Sequence, residues 1–157
     1  MRVVMRAMTF RLLVAEKDPE FCRTLLEVSR TVVDLLPIDL SVRDARSMAQ
    51  VRTDVTGWQA DAVLLDWNIA DHDTPAFIKE LQTLSPGLRV LTLLPASVIE
   101  YRRTVWEAGA CASIPRDRLD PEWLATAVCI MTRAMQREAR LKARVRELCP
   151  VMAEVLA

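Results

Sequence analysis

The chain has 157 residues, with 21 basic and 21 acidic side chains, one histidine and a formal charge of zero at pH 7. That length supports one domain with its own core, and the balanced charge excludes an overall electrostatic drive toward nucleic acid or an anionic membrane. No apolar run approaches membrane-spanning length, and a single histidine, His72, without any Cys-x-x-Cys, argues against a zinc centre.

Residues 1–8, Met-Arg-Val-Val-Met-Arg-Ala-Met, are basic and mildly apolar but lack the long apolar core of a signal peptide, so they read as an N-terminal extension. Residues 10–15 form an apolar strand that runs into Glu16-Lys17-Asp18-Pro19. Asp18 is placed to cap a helix that Pro19 opens; Phe21, Leu25, Val28, Val32 and Leu35 recur along it, and Pro37 stops it. A short strand at 39–42 and a weaker helix at 47–55, closed by Gly57, come next.

Residues 62–65, Ala-Val-Leu-Leu, form a third strand that ends on Asp66. A helix is predicted at 74–84, ended by Pro86-Gly87, then a strand at 90–94 and a helix at 97–108 closed by Gly109. A fifth strand at 111–114 stops at Pro115, and Asp120-Pro121 opens a last, long helix. Its first part, with Leu124, Val128, Met131 and Met135, suits packing on a sheet. After a phase shift Leu141, Val145, Leu148, Met152 and Val155 follow coiled-coil spacing, interrupted by Pro150.

Alternating strands and helices predict an α/β fold: a five-stranded parallel sheet with helices on both faces. The domain spans 9–134, and 135–157 is an extended C-terminal helix, read as a coiled coil or a linker. Cys22, Cys111, Cys129 and Cys149 sit in apolar settings, which points to buried, reduced thiols and a cytoplasmic location. Arg133, Arg137, Arg140 and Arg144 make a basic stripe, a solvated face unless a partner covers it; no winged-helix or helix-turn-helix segment follows, so nucleic acid is not an expected partner.

In open α/β sheets the carboxyl edge of the strands is where ligands bind. Asp66 and the Glu16–Asp18 cluster both fall on that edge. The stretches Leu12–Phe21, Asp61–Ile69 and Glu107–Arg116, taken together in this order and spacing, resemble the receiver domain of two-component response regulators. The resemblance implies a flavodoxin-like fold, a partner histidine kinase, an output domain and phosphorylation of an aspartate at the position of Asp66. It also implies an acidic pair for Mg²⁺ where this chain has Glu16 and Lys17. A metal-ligating backbone carbonyl falls at Asn68, a hydroxyl at Leu94, a lysine at Arg116 and an aromatic switch residue at Ser113.

The departures bear on chemistry. Mg²⁺ needs hard oxygen ligands, and an ammonium at Lys17 supplies none; Leu94 removes a donor to the phosphoryl group. The expectation is therefore an atypical receiver acting by protein contact, neither an enzyme nor a metal protein. In it Lys17, with Arg116 as a second cation, pairs with Asp66 and keeps it ionised. The alternative is a working Mg²⁺-dependent phosphoacceptor with Glu16, Asp66 and Asn68 around the ion and Asp18 shifting in, as the regulatory part of a larger protein. Trp67, directly after Asp66, is placed to cover the site. A homodimer is expected through the C-terminal helix, with the fourth and fifth helices adding area.

Overall fold

The computed structural model describes residues 9–71 and 73–149. His72, the extension at 1–8 and the last seam residues, Met152 and Val155, lie outside them. Five strands, β1 (Thr9–Ala15), β2 (Asp39–Ala45), β3 (Ala62–Asp66), β4 (Arg89–Leu94) and β5 (Ala112–Pro115), form one parallel sheet in the order β2-β1-β3-β4-β5. The helices are α1 (Pro19–Leu35), α2 (Met48–Thr53), α3 (Thr74–Leu84), α4 (Arg102–Glu107) and α5 (Pro121–Leu148).

Every residue of β3 is buried, as expected of a central strand covered on both faces. One face carries Phe10, Leu12, Val14, Leu64, Leu91 and Leu93 against Leu25 and Val32 of α1 and Leu124, Val128 and Met131 of α5. The other carries Leu13, Val63, Leu65, Val90 and Leu94 against α2, α3 and α4 through Val51, Phe77, Ile78, Leu81 and Val105.

Several helix ends follow the sequence signals. The Asp18 carboxylate accepts from the Glu20 N–H at 3.0 Å with Pro19 at the first helical position, and Asp120 does the same for the Trp123 N–H at 2.8 Å. Gly109 closes α4 with φ +115°, where a side chain would be strained.

Two helices differ from expectation. The second ends early and widens into a π turn at Asp54–Trp58, and the chain reverses at Gln59, with φ 57°, rather than at Gly57. The Thr53 and Thr56 hydroxyls compete for the helix carbonyls there, and Trp58 swings under the Arg43 guanidinium, 4.7 Å from its ring centre. The fourth is α-helical only at Arg102–Glu107; Ala96–Tyr101 form a 3-10 turn that is non-helical at Val98. Val98 and Ile99 pack against the core, and Tyr101 lies 5.4 Å from Trp67. The cysteine expectation is also corrected. Cys22 is buried, but Cys111, Cys129 and Cys149 are exposed, because no side chains among the described residues cover them.

The last helix outruns the sheet. Its first half is packed, whereas residues 137–149 are exposed on every side. Where it passes the amino edge of the sheet it walls a cleft of about 560 Å³, opposite Asp61 and Arg89, and Arg89 holds Glu138 at 2.6 Å.

Candidate functional site

The parallel register puts the ends of β1, β3 and β5 side by side, so three charged residues converge. Asp66, the last residue of β3, is fully buried. Glu16, the residue after β1, is held by its N–H to the Ala45 carbonyl at 3.0 Å and is 1% exposed. Arg116 opens the 3-10 turn that follows β5. Its guanidinium spans both acids: Nη2 lies 3.3 Å from Glu16 Oε2, and Nε lies 3.4 Å from Asp66 Oδ1. The ring of Phe21, in the first turn of α1, stacks 3.7 Å from the guanidinium carbon.

The remaining oxygens are mostly used by backbone. Asn68 N–H donates to Asp66 Oδ2 at 3.0 Å, so Asp66 caps the 3-10 turn Trp67–Ala70. Asp18 N–H donates to Glu16 Oε1 at 2.9 Å. Asp66 Oδ1 has no directed hydrogen bond, and its contact with Arg116 is charge attraction at long range for a hydrogen bond.

Two carboxylates and one guanidinium leave one excess negative charge on two buried acids. Burial pushes the Glu16 carboxyl up to about 7, against the Asp18 N–H, which lowers it, with Asp66 adding to the rise and Arg116 opposing it. Burial also raises Asp66, opposed by the Asn68 N–H and by Arg116. The two carboxyls titrate as a pair, and near neutral pH that pair is close to taking up one proton.

A cavity of about 350 Å³ opens above this triad, lined by Glu16, Lys17, Asp18, Asn68, Asp71 and Arg116. Glu16, Lys17, Asp18, Asn68 and Arg116 are therefore brought together around the cavity, with Asp66 buried beside them, but three expectations differ. Lys17 does not reach Asp66. Its ammonium is half exposed and pairs with Asp71 at 2.7 Å, because Glu16 turns inward and the next residue along an extended backbone turns outward. Leu94 is fully buried in the core under α3 and α4, as an apolar side chain must be at that strand end. Trp67 lies against the same core in a tilted contact with the Tyr101 ring, so it does not cover the site. Sequence reasoning missed Asp71, which adopts a left-handed backbone (φ 43°), and the stacking of Phe21, whose position on the apolar stripe of α1 was its only signal.

The chain matches no family by sequence, and no curated protein matches it. Solved structures do resemble it. A response regulator receiver domain protein (CheY-like) from Methanospirillum hungatei is 16% identical with a TM-score of 0.63, covering 83% of this chain and 99% of that one. A two-component response regulator from Clostridium difficile is 15% identical at TM-score 0.64, covering 80% and 98%. A BeF3-activated DrrB receiver domain is 20% identical at TM-score 0.61, covering 80% and 99%. The fold is that of response regulator receiver domains, and the expected flavodoxin-like, five-stranded parallel sheet with an extended last helix is the one observed. Among the described residues no helix is long and apolar enough to cross a membrane.

Proposed function

We propose that this chain is a two-component signalling module of the receiver type. It works through contacts with proteins such as a histidine kinase or an output domain, and Asp66 is phosphorylated poorly or not at all. The observation that supports this most is the Arg116 guanidinium seated on both Glu16 and Asp66. A permanent cation there offsets one of the two carboxylate charges without a metal ion.

The donor set also argues against Mg²⁺. Glu16 and Asp66 are the buried carboxylates here, Asp18 caps α1, Asp71 is paired with the Lys17 ammonium, and no cluster of three acidic, histidine or cysteine ligands that could hold a metal occurs among the described residues. A hard cation that wants six oxygens does not fit a site already holding a guanidinium. Leu94 offers the phosphoryl group no hydroxyl; the nearest hydroxyl on β4, Thr92, is buried two residues deeper.

The phosphoacceptor reading keeps one observation in its favour: Asp66 Oδ1 lacks a hydrogen bond, and its neighbours Asn68 and Arg116 line an open cavity. Incubation with acetyl phosphate and Mg²⁺, followed by mass spectrometry, separates the two. The expected result is little or no adduct on the wild type and some on Lys17→Asp combined with Leu94→Thr. A stoichiometric adduct on wild-type Asp66 overturns the reading.

The module also self-associates in this proposal. Trp106 on α4 and Ile130 on α5 stand about two-thirds exposed on either side of β5, above apolar cavities that share Cys111 and Ala112. That face, rather than the seam at Leu141, Val145 and Leu148, is where two copies meet. Light scattering should show a dimer that Trp106→Asp dissociates; a wild-type monomer at high micromolar concentration rules it out.

A further inference from the structure

The projecting half of α5 has the chemistry of a docking element. Residues 137–148 carry five basic side chains and two acidic ones. One of the acids, Glu138, is already held by Arg89. Along this segment Leu141, Val145 and Leu148 form one row, and they are 64%, 37% and 75% exposed. Arg137 and Arg144 border the row on one side and Lys142 on the other, by the 100° step of the helix. The segment continues a helix nucleated on the sheet, so it forms, yet it buries almost nothing.

Its charges choose among occupants. In a pair of parallel copies meeting along Leu141, Val145 and Leu148, Arg137 of one helix faces Lys142 of the other. In an antiparallel pair Arg137 faces Arg144. Like charges at these flanking positions oppose association in both orientations. An anionic membrane meets three apolar side chains and no aromatic residue, a poor anchor for an interfacial helix. A nucleic acid backbone offers nothing to an apolar row that runs between the cations. An amphipathic helix with an apolar seam and acidic flanks satisfies both features at once.

We infer that residues 137–148 dock an acidic amphipathic helix of another protein, with Leu141, Val145 and Leu148 as the seam and Arg137, Lys142 and Arg144 as its charge partners. This is independent of whether Asp66 accepts a phosphoryl group, so the acetyl phosphate experiment and the one below fail separately.

The test uses the full chain and a fluorescein-labelled heptad-repeat peptide with leucine along its seam and glutamate at the flanking positions. Fluorescence anisotropy should show saturable binding that weakens at least tenfold in the triple variant Arg137→Glu/Lys142→Glu/Arg144→Glu, and in wild type at high salt. The triple variant should in turn bind the peptide whose flanking residues are lysine. The substituted side chains are exposed, and far-UV circular dichroism of the variant should match wild type. The inference is overturned by no binding at about 100 μM, a concentration that detects even weak complexes, or by equal affinity for the lysine peptide. Tighter binding to phosphatidylglycerol vesicles or duplex DNA than to the acidic peptide also overturns it, as does a dimer that Leu141→Ala/Val145→Ala dissociates.

Discussion

Lys17 and Arg116 are both cations at the carboxyl edge of the sheet, yet only one enters the site. Arg116 lies on Phe21 and touches two buried acids; Lys17 stays in water with Asp71. The difference is physical. A guanidinium is planar, weakly hydrated and forked, so it can stack on a ring and serve two carboxylates from one position. An ammonium is compact and strongly hydrated, and burying it beside Asp66 would cost more solvation than one contact returns. Position in a motif therefore does not decide which cation does the neutralising; backbone direction and hydration do.

The largest effect expected from breaking this contrast is at Arg116. Arg116→Met removes the only cation that touches Glu16 and Asp66 among the described residues and should lower stability by about 2–4 kcal/mol in urea denaturation at pH 8. A loss much under 1 kcal/mol would mean that the two acids are not charged there. Next comes pH. Glu16 titrates near 7 in the folded chain, far above its ordinary 4.5. The native state thus binds more protons than the unfolded chain between those values. Stability held below about pH 4.5 is lost as pH rises through 7, on the order of 3 kcal/mol at most, with Asp66 adding in the same direction. Glu16→Gln should flatten that slope in denaturant titrations across pH 5–8; an unchanged slope assigns the proton elsewhere. The smallest effect belongs to Lys17→Ala, about 0–1 kcal/mol as for exposed ion pairs, with the pH slope unaltered. A large loss there would restore the pairing with Asp66 expected from the sequence.

Much of this edge was legible in the sequence because it depends on strand ends. Apolar runs that stop on Glu16 and Asp66, and a strand that stops before Arg116, place three charges together once the sheet is parallel. The inward turn of Glu16 also contains the information that Lys17 turns outward, since strand side chains alternate. Asp71 left no such trace, because its position depends on a left-handed residue in a short loop. The broken fourth helix was hidden for a related reason: Val98 and Ile99 fit a helical pattern, but the core and the Trp67–Tyr101 contact draw that segment out of it. Exposure of Cys111 and Cys129 was illegible from composition, because apolar neighbours in sequence do not guarantee a covering partner in space.

The last helix also has a mechanical consequence. At about 1.5 Å per residue its 28 residues span roughly 42 Å. It starts a few residues after Arg116 and leaves the sheet at the opposite edge, where Arg89 grips Glu138. It is a lever with its short arm beside the charged triad. A tilt of about 5° at Asp120 moves the Leu148 tip by roughly 4 Å, more than the ~1–2 Å helix shifts that accompany switching at subunit interfaces. The same tilt moves Met131, packed on the sheet, by only about 1.4 Å, so displacement grows along the helix, past the Arg89–Glu138 contact, toward its exposed end.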